Sequence, residues 1–216
     1  QGAVYQNHMK TSIDSGLVTL DQIDQAVRRI LTTKFQLGLF QDPYKYCNEQ
    51  REKETVMSAA HLEAARDIAR KSIVLLKNEN GTLPLAGKKT IALIGPLADS
   101  RADLIGPWSG AGDGDSCVSV LDALQERSAK DGFTIRHSKG CEITGEDRSG
   151  FAAAVTAGKS SDIILAVVGE SNTMSGEAAA RADISLPGVQ EDLIKALVAT
   201  GKPVVVILMN GRPLTF

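Results

Sequence analysis

The stretch Asp162-Ile163-Ile164-Leu165-Ala166-Val167-Val168-Gly169-Glu170 decides the fold. Six apolar residues in succession, without polar alternation, describe a strand buried on both faces, the kind found inside a parallel sheet. Pro203 to Met209 repeats the pattern, Thr90 to Ile94 is a shorter version, and Phe133 to Arg136 a weaker one. Between these runs lie helical segments near Ser119 to Lys130, Phe151 to Gly158, and Val189 to Ala199, the last stopped by Gly201. Strands separated by helices imply right-handed crossovers, hence an α/β fold whose mainly parallel sheet is sandwiched by helices in three layers, α/β/α. Ligands on such sheets collect outside the carboxyl ends of the strands. The loops to inspect are therefore Gly95 to Cys117, Gly169 to Pro187, and the segment after Met209.

Toward the N-terminus the pattern is helix after helix. Tyr5, Met9 and Ile13 recur every four residues, and Gly16 supplies a stop. Thr19 with Gln22 forms a capping box for a second helix, whose stripe is Ile23, Val27, Ile30 and Leu31, while Arg28, Arg29 and Lys34 stay in water. Gly38 to Tyr44 ends it, since Pro43 prevents continuation. Cys47 to Val56 has the polar composition of an exposed linker, and a third helix is expected from Ser58 to Lys77 along Leu62, Ala65, Ala69 and Ile73. Asn78 to Pro84 is turn-rich. The expected division is a helical connection over 1–57 and an α/β domain over 58–216.

Composition fits an ordinary globular chain: 216 residues, 43% hydrophobic and 23% charged. The net charge of −2, with both signs interspersed, gives no footprint for nucleic acid or an anionic membrane surface. Apolar runs such as Ile163 to Val168 are too short to cross a bilayer. Cys47, Cys117 and Cys141, like His8, His61 and His137, lack ligand spacing, so no metal site is implied and all six read as structural or surface residues. Gly110-Ala111-Gly112-Asp113-Gly114 lies too far beyond its strand for a dinucleotide turn, and Pro96 removes a donor where a phosphate would need one. Asp113 and Asp115 lack the remaining oxygen ligands of a calcium loop.

The loop after the strongest strand is the candidate for chemistry. Glu170 ends the strand, and Ser175-Gly176-Glu177-Ala178-Ala179-Ala180-Arg181 follows. Two carboxylates and a guanidinium thus reach the ligand edge on a rigid element. A general acid needs a carboxyl kept protonated by apolar surroundings or a second carboxylate, and a loop lets it serve a leaving-group oxygen and then a water. The same residues also read as an exposed acidic loop with an arginine ion pair. Trp108, the single tryptophan, stands on the first of these loops, where its face suits a sugar ring or packs beneath the loop.

GESNTMSGEAAARADISLPGVQEDLI (Gly169 to Ile194) resembles the acid/base segment of family 3 glycoside hydrolases. SGLVTLDQIDQAVRRILTTKFQLGLFQDPY (Ser15 to Tyr44) resembles that family's interdomain connection. ARKSIVLLKNENGTLPL (Ala69 to Leu85) is similar to the start of its second domain, IALIGPLADS (Ile91 to Ser100) to that domain's first strand, and VVVILMNGRPL (Val204 to Leu214) to a later strand. Periplasmic-type bacterial β-glucosidases are the subgroup suggested. The resemblance implies a retaining, exo-acting β-glycosidase with an Asp nucleophile on a (β/α)8 barrel and a Glu acid/base on the sandwich domain. Double displacement requires both carboxylates, about 5–5.5 Å apart.

On this sequence the acid/base motif falls on Glu177, with Glu170 as the alternative, and family members use tryptophans from the region of Trp108 beside the sugar. Arg181 either orients Glu177 or contacts substrate, or else pairs with Asp183 or Glu170; a guanidinium beside a carboxylate favours its ionised form, which opposes a general acid. The resemblance implies a nucleophile motif upstream of Gln1, and Ser161-Asp162 reads instead as a helix-to-strand connector. The chain is thus expected to be an internal piece carrying half an active site. Its implied partners are a barrel domain and a β-linked oligosaccharide or aryl glycoside, with no cofactor. The implied location is periplasmic or extracellular. A non-catalytic carbohydrate or small-ligand binding module is the alternative function, and a nucleotide-binding or receiver-like regulatory domain a third.

Overall fold

The computed structural model describes residues 3–87 and 90–216, which divide into two compact units, 1–75 and 76–216. The first contains α1 (Ala3–Asp14), α2 (Leu20–Gln36), α3 (Glu49–Thr55) and α4 (Ala59–Ser72). The capping box of α2 forms as expected: Gln22 N–H donates to Thr19 Oγ1 at 3.2 Å, and Thr19 N–H donates to Gln22 Oε1 at 2.9 Å. Two segments differ from the sequence reading. The linker expected over Cys47 to Val56 contains α3, capped by Asn48 Oδ1 accepting from Arg51 N–H at 2.8 Å; a helix without an apolar stripe leaves no periodic signal. The third helix ends at Ser72 rather than Lys77, because Ile73 adopts an extended conformation and starts a non-helical run. The compact division falls after α4.

The second unit is the sheet domain. Its strands, β1 (Thr90–Ile94), β2 (Thr134–Ser138), β3 (Ile163–Gly169) and β4 (Val204–Met209), are all parallel in the order β2-β1-β3-β4. β3 is buried along its whole length, as an interior strand of apolar residues must be, whereas β4 at the edge is half-buried. Alternate residues build two cores. Ala92, Ile94, Ile164 and Ala166 pack with Ala154 of α6 (Phe151–Lys159) and with Leu193 and Leu197 of α7 (Gln190–Val198). Ile91, Leu93, Ile163, Leu165 and Val167 pack on the other face with Leu121 of α5 (Val120–Asp131). These are the three layers.

Strand order fixes where the loops converge. From β1 the chain steps outward to β2, then returns across β1 to β3 and continues to β4. Connections therefore depart in opposite directions at the β1/β3 boundary, the topological switch point at which open sheets bind ligands. Asp162 joins the opposite end of these strands, its carboxylate accepting from Thr90 N–H at 2.9 Å and its own N–H donating to Thr90 O at 2.9 Å. It is a connector.

Candidate active-site loop

The loop after β3 is anchored at Gly169. Its φ is +142°, and a Cβ there would stand 1.9 Å from the Met209 carbonyl oxygen, so only glycine lets β3 end against β4 in this way. Gln190, fully buried at the start of α7, grips the same residue: Oε1 accepts from Gly169 N–H at 2.8 Å, and Nε2 donates to Gly169 O at 2.8 Å and to Ile143 O at 2.9 Å. Glu170 N–H donates to Met209 O at 2.9 Å. The strand end is therefore held from the neighbouring strand and from the helix.

Glu170 turns its carboxylate inward, where the side chain is 1% exposed, and meets two guanidinium groups. Arg181 Nη1 lies 2.7 Å from Oε1; Arg212 Nε lies 3.0 Å from Oε1 and 3.3 Å from Oε2. Burying a carboxylate demands such compensation. Both arginines direct their remaining donors to loop carbonyls. Arg181 Nη2 donates to Ser185 O at 3.1 Å, and Arg212 Nη2 donates to Ala179 O at 2.7 Å and to Met174 O. Of the partners weighed for Arg181, the structure gives it Glu170.

Glu177 occupies the protruding part of this loop. It is exposed and, among the described residues, makes no hydrogen bond or ion pair. Its neighbours carry unusual backbone: Gly176 has φ +101° and Ala178 has φ +59°, the left-handed region that a side chain disfavours. Gly176 lies against the loop after β1, since a Cβ there would be 2.9 Å from Pro107 Cβ and 3.7 Å from Trp108 Cε2. Trp108 is 71% exposed and so is not packed beneath the loop. Asn172 ties the same two loops, its N–H donating to Asp103 Oδ1 at 2.8 Å and its Nδ2 to Ala102 O at 3.0 Å. At Gly211, beyond β4, a Cβ would come within 2.1 Å of Ser175 Oγ. All three loops named from the sequence thus meet around the segment that carries Glu177.

Asp183 shapes the return of the loop. Its Oδ1 accepts from Ser185 N–H at 2.8 Å. Bonding to the Ser185 backbone, then to its side chain, holds the Asp183 carboxyl below its ordinary range, with Arg181 adding a smaller pull. Elsewhere, burial pushes the Cys141 thiol up to about 11, with Glu142 adding to the rise, so this cysteine is a core residue rather than a reactive one.

Two residues escaped the sequence reading. Arg212 lies in the third candidate loop, where nothing local marks its target forty-two residues upstream. Gln190 carried a usable signal: it shares the buried face of α7 with Leu193 and Leu197, and a polar residue on a core stripe requires a buried partner.

Comparison with known proteins agrees with this architecture. Residues 73–216 match the glycosyl hydrolase family 3 C-terminal domain. A periplasmic β-glucosidase of Salmonella typhimurium is 42% identical across 97% of this chain, and a β-xylosidase of Formosa agariphila is 41% identical across 98%. The chain spans 30% of the length of each. Among solved structures, a β-glucosidase involved in saponin metabolism from intestinal bacteria superposes with a TM-score of 0.88 at 30% identity, covering 100% of this chain and 33% of that one. A β-glucosidase from Listeria innocua in complex with laminaribiose gives 0.83 at 37% identity, covering 95% and 28%.

Proposed function

This chain belongs to glycoside hydrolase family 3, and we propose that it supplies the acid/base loop of a retaining, exo-acting β-glycosidase that hydrolyses terminal β-D-glycosides. The observation that carries the reading is the placement of Glu177: a carboxylate with no partner among the described residues, at the switch point, on a fixed loop, alongside an exposed tryptophan. Glu170 is the poorer candidate. Its carboxylate is enclosed by two arginines and cannot both hold them and exchange a proton with a leaving group.

In this reading the nucleophilic carboxylate stands on a barrel domain outside these 216 residues. The helical unit that precedes the sheet leads from that barrel. Glu177 protonates the glycosidic oxygen as the nucleophile displaces it, then removes a proton from the water that hydrolyses the glycosyl-enzyme. Trp108 offers its exposed face to the sugar. Substrates are β-linked oligosaccharides or aryl glycosides, β-glucosidase-like in sugar preference, met in the periplasm or outside the cell.

The test is Glu177→Ala in the complete enzyme, barrel included. Loss of general acid and base catalysis lowers turnover by about 10²–10⁴-fold with poor leaving groups. Aryl glycosides with acidic phenols still form the glycosyl-enzyme and then stall. Azide, which needs no general base, restores their turnover and yields the β-glycosyl azide. Equal losses for good and poor leaving groups, without azide rescue, would remove the role from Glu177.

A further inference from the structure

We propose that Arg212 is the positioning residue for Glu177, and that Glu170 is its buried counter-charge; the inference rests on the acid/base reading of Glu177. The Arg212 Nη2 nitrogen donates to the carbonyls of both Met174 and Ala179. Between those carbonyls lies the excursion Ser175-Gly176-Glu177-Ala178. One guanidinium therefore closes the neck of the segment whose protruding part bears the carboxylate.

Local forces alone would not hold this shape. The segment includes Ala178 at φ +59° and Gly176 at φ +101°, and an alanine keeps a left-handed backbone only where its surroundings over-determine it. Glu177 itself contributes no bond to any described residue. The staple is a charge-assisted restraint beside it, and a charged donor bonds carbonyls more tightly than a neutral one. Arg212 is in turn oriented by Glu170 at 3.0 Å, and Glu170 by its N–H bond to Met209 O and by the preceding Gly169, which Gln190 holds. A chain of contacts thus runs from the rigid β3–β4 pair to the loop tip.

The side-chain type matters. A planar guanidinium addresses the carboxylate through Nε and both carbonyls through Nη2, whereas a lysine ammonium is a single point that preserves the charge without spanning the neck. Arg212→Lys should therefore separate charge balance from positioning.

In the complete enzyme, Arg212→Lys is expected to retain a melting temperature close to that of the parent. With poor leaving groups its kcat should fall about 10–10²-fold, the scale on which small misplacement of a catalytic group acts. KM and the glycosylation of activated aryl glycosides should change little, and azide should speed deglycosylation. Arg212→Ala should show a larger defect of the same kind; if it does not fold, Arg212→Lys decides alone. A folded Arg212→Lys with wild-type kcat on poor leaving groups, or with one uniform loss for all substrates, overturns the proposal. Glu177→Ala measured in parallel identifies what has failed. If it shows leaving-group dependence and azide rescue while the Arg212 variants do not, positioning alone is refuted. If it shows neither, the acid/base reading falls and the proposal with it.

Discussion

Replacing Gln190 by leucine removes the polar clamp on Gly169 while keeping a side chain of similar size. Three hydrogen bonds disappear: one from Gly169 N–H, one to Gly169 O, and one to Ile143 O. At about 0.5–1.5 kcal/mol each, the loss is roughly 1.5–4.5 kcal/mol, and the orphaned buried donor weights it toward the upper half. The added apolar surface of leucine, on the buried face of the helix with Leu193 and Leu197, offsets about 1 kcal/mol. The expected net destabilisation is therefore about 2–3.5 kcal/mol. Urea denaturation should register it as a fall of about 1–1.75 M in the midpoint, for an m of about 2 kcal/mol/M that itself stays constant. Amide exchange at Gly169 should accelerate more than at Ile164, since the lost acceptor belongs to Gly169 alone. A midpoint shift below about 0.3 M, or unchanged exchange at Gly169, would refute the clamp as a stabilising element.

A second replacement at the same position reads the chemistry of the clamp. Gln190→Glu keeps the acceptor for Gly169 N–H, but an ionised carboxylate has no proton for the two carbonyls. Its folded-state pKa must then lie above the unfolded value of about 4.3, because only the protonated acid donates. The unfolded chain ionises first as pH rises, so the variant loses stability between about pH 4.3 and its higher folded pKa, and recovers relative stability on acidification. The parent protein, uncharged at this position, lacks that component.

Two further outcomes are expected. The Asp183 carboxyl should titrate below its ordinary value of 3.8 by NMR, so its contribution to stability is complete above the unfolded pKa and is lost as pH falls through the lower folded one; a value at or above 3.8 would contradict the bonds to Ser185. The 216-residue chain alone should bind apolar dyes and show no turnover of aryl β-glucosides, since helix residues such as Ile30, Phe35 and Ile68 are exposed in its first unit and the proposed nucleophile lies elsewhere. Sharp monomeric unfolding without dye binding, or turnover surviving rigorous purification, would refute it.

The readable parts of this fold are those in which a residue's own neighbours determine its state. Ile163 to Val168 is apolar at every position, and an interior strand is the economical answer. Thr19 and Gln22 stand at the spacing that lets two side chains cap two backbone amides. Glu49–Thr55 was illegible for the complementary reason: its residues are all polar, so helix and linker have the same composition. Ile73 to Leu76 misled in the other direction, because an apolar run continues a helical stripe on paper while the chain has already turned extended. The converging loops could be named from the rule about strand ends, but which two would touch depended on the order β2-β1-β3-β4, a property of the sheet as a whole.

The two glutamates of the loop make the same point in chemical terms. Sequence places them seven positions apart, with equal formal charge and equal access to the ligand edge. Tertiary contacts separate them. Glu170 follows a glycine whose carbonyl and amide are both captured by Gln190, so its side chain leaves the strand in a fixed direction, inward, where Arg181 and Arg212 are waiting. A carboxylate in that position has its charge neutralised, its motion stopped and its lone pairs occupied. Those properties suit an anchor, and they support the proposal that the proton shuttle is Glu177 instead. Glu177 has the opposite set: an exposed carboxylate, no competing partner among the described residues, and a backbone braced on both sides by the carbonyls that Arg212 holds. The buried ion cluster thus lies at the base of the segment that exposes the second carboxylate. Without Glu170 the two guanidinium groups would lose their buried counter-charge, and without Arg212 the neck of the segment that carries Glu177 would lose its bonds to the Met174 and Ala179 carbonyls.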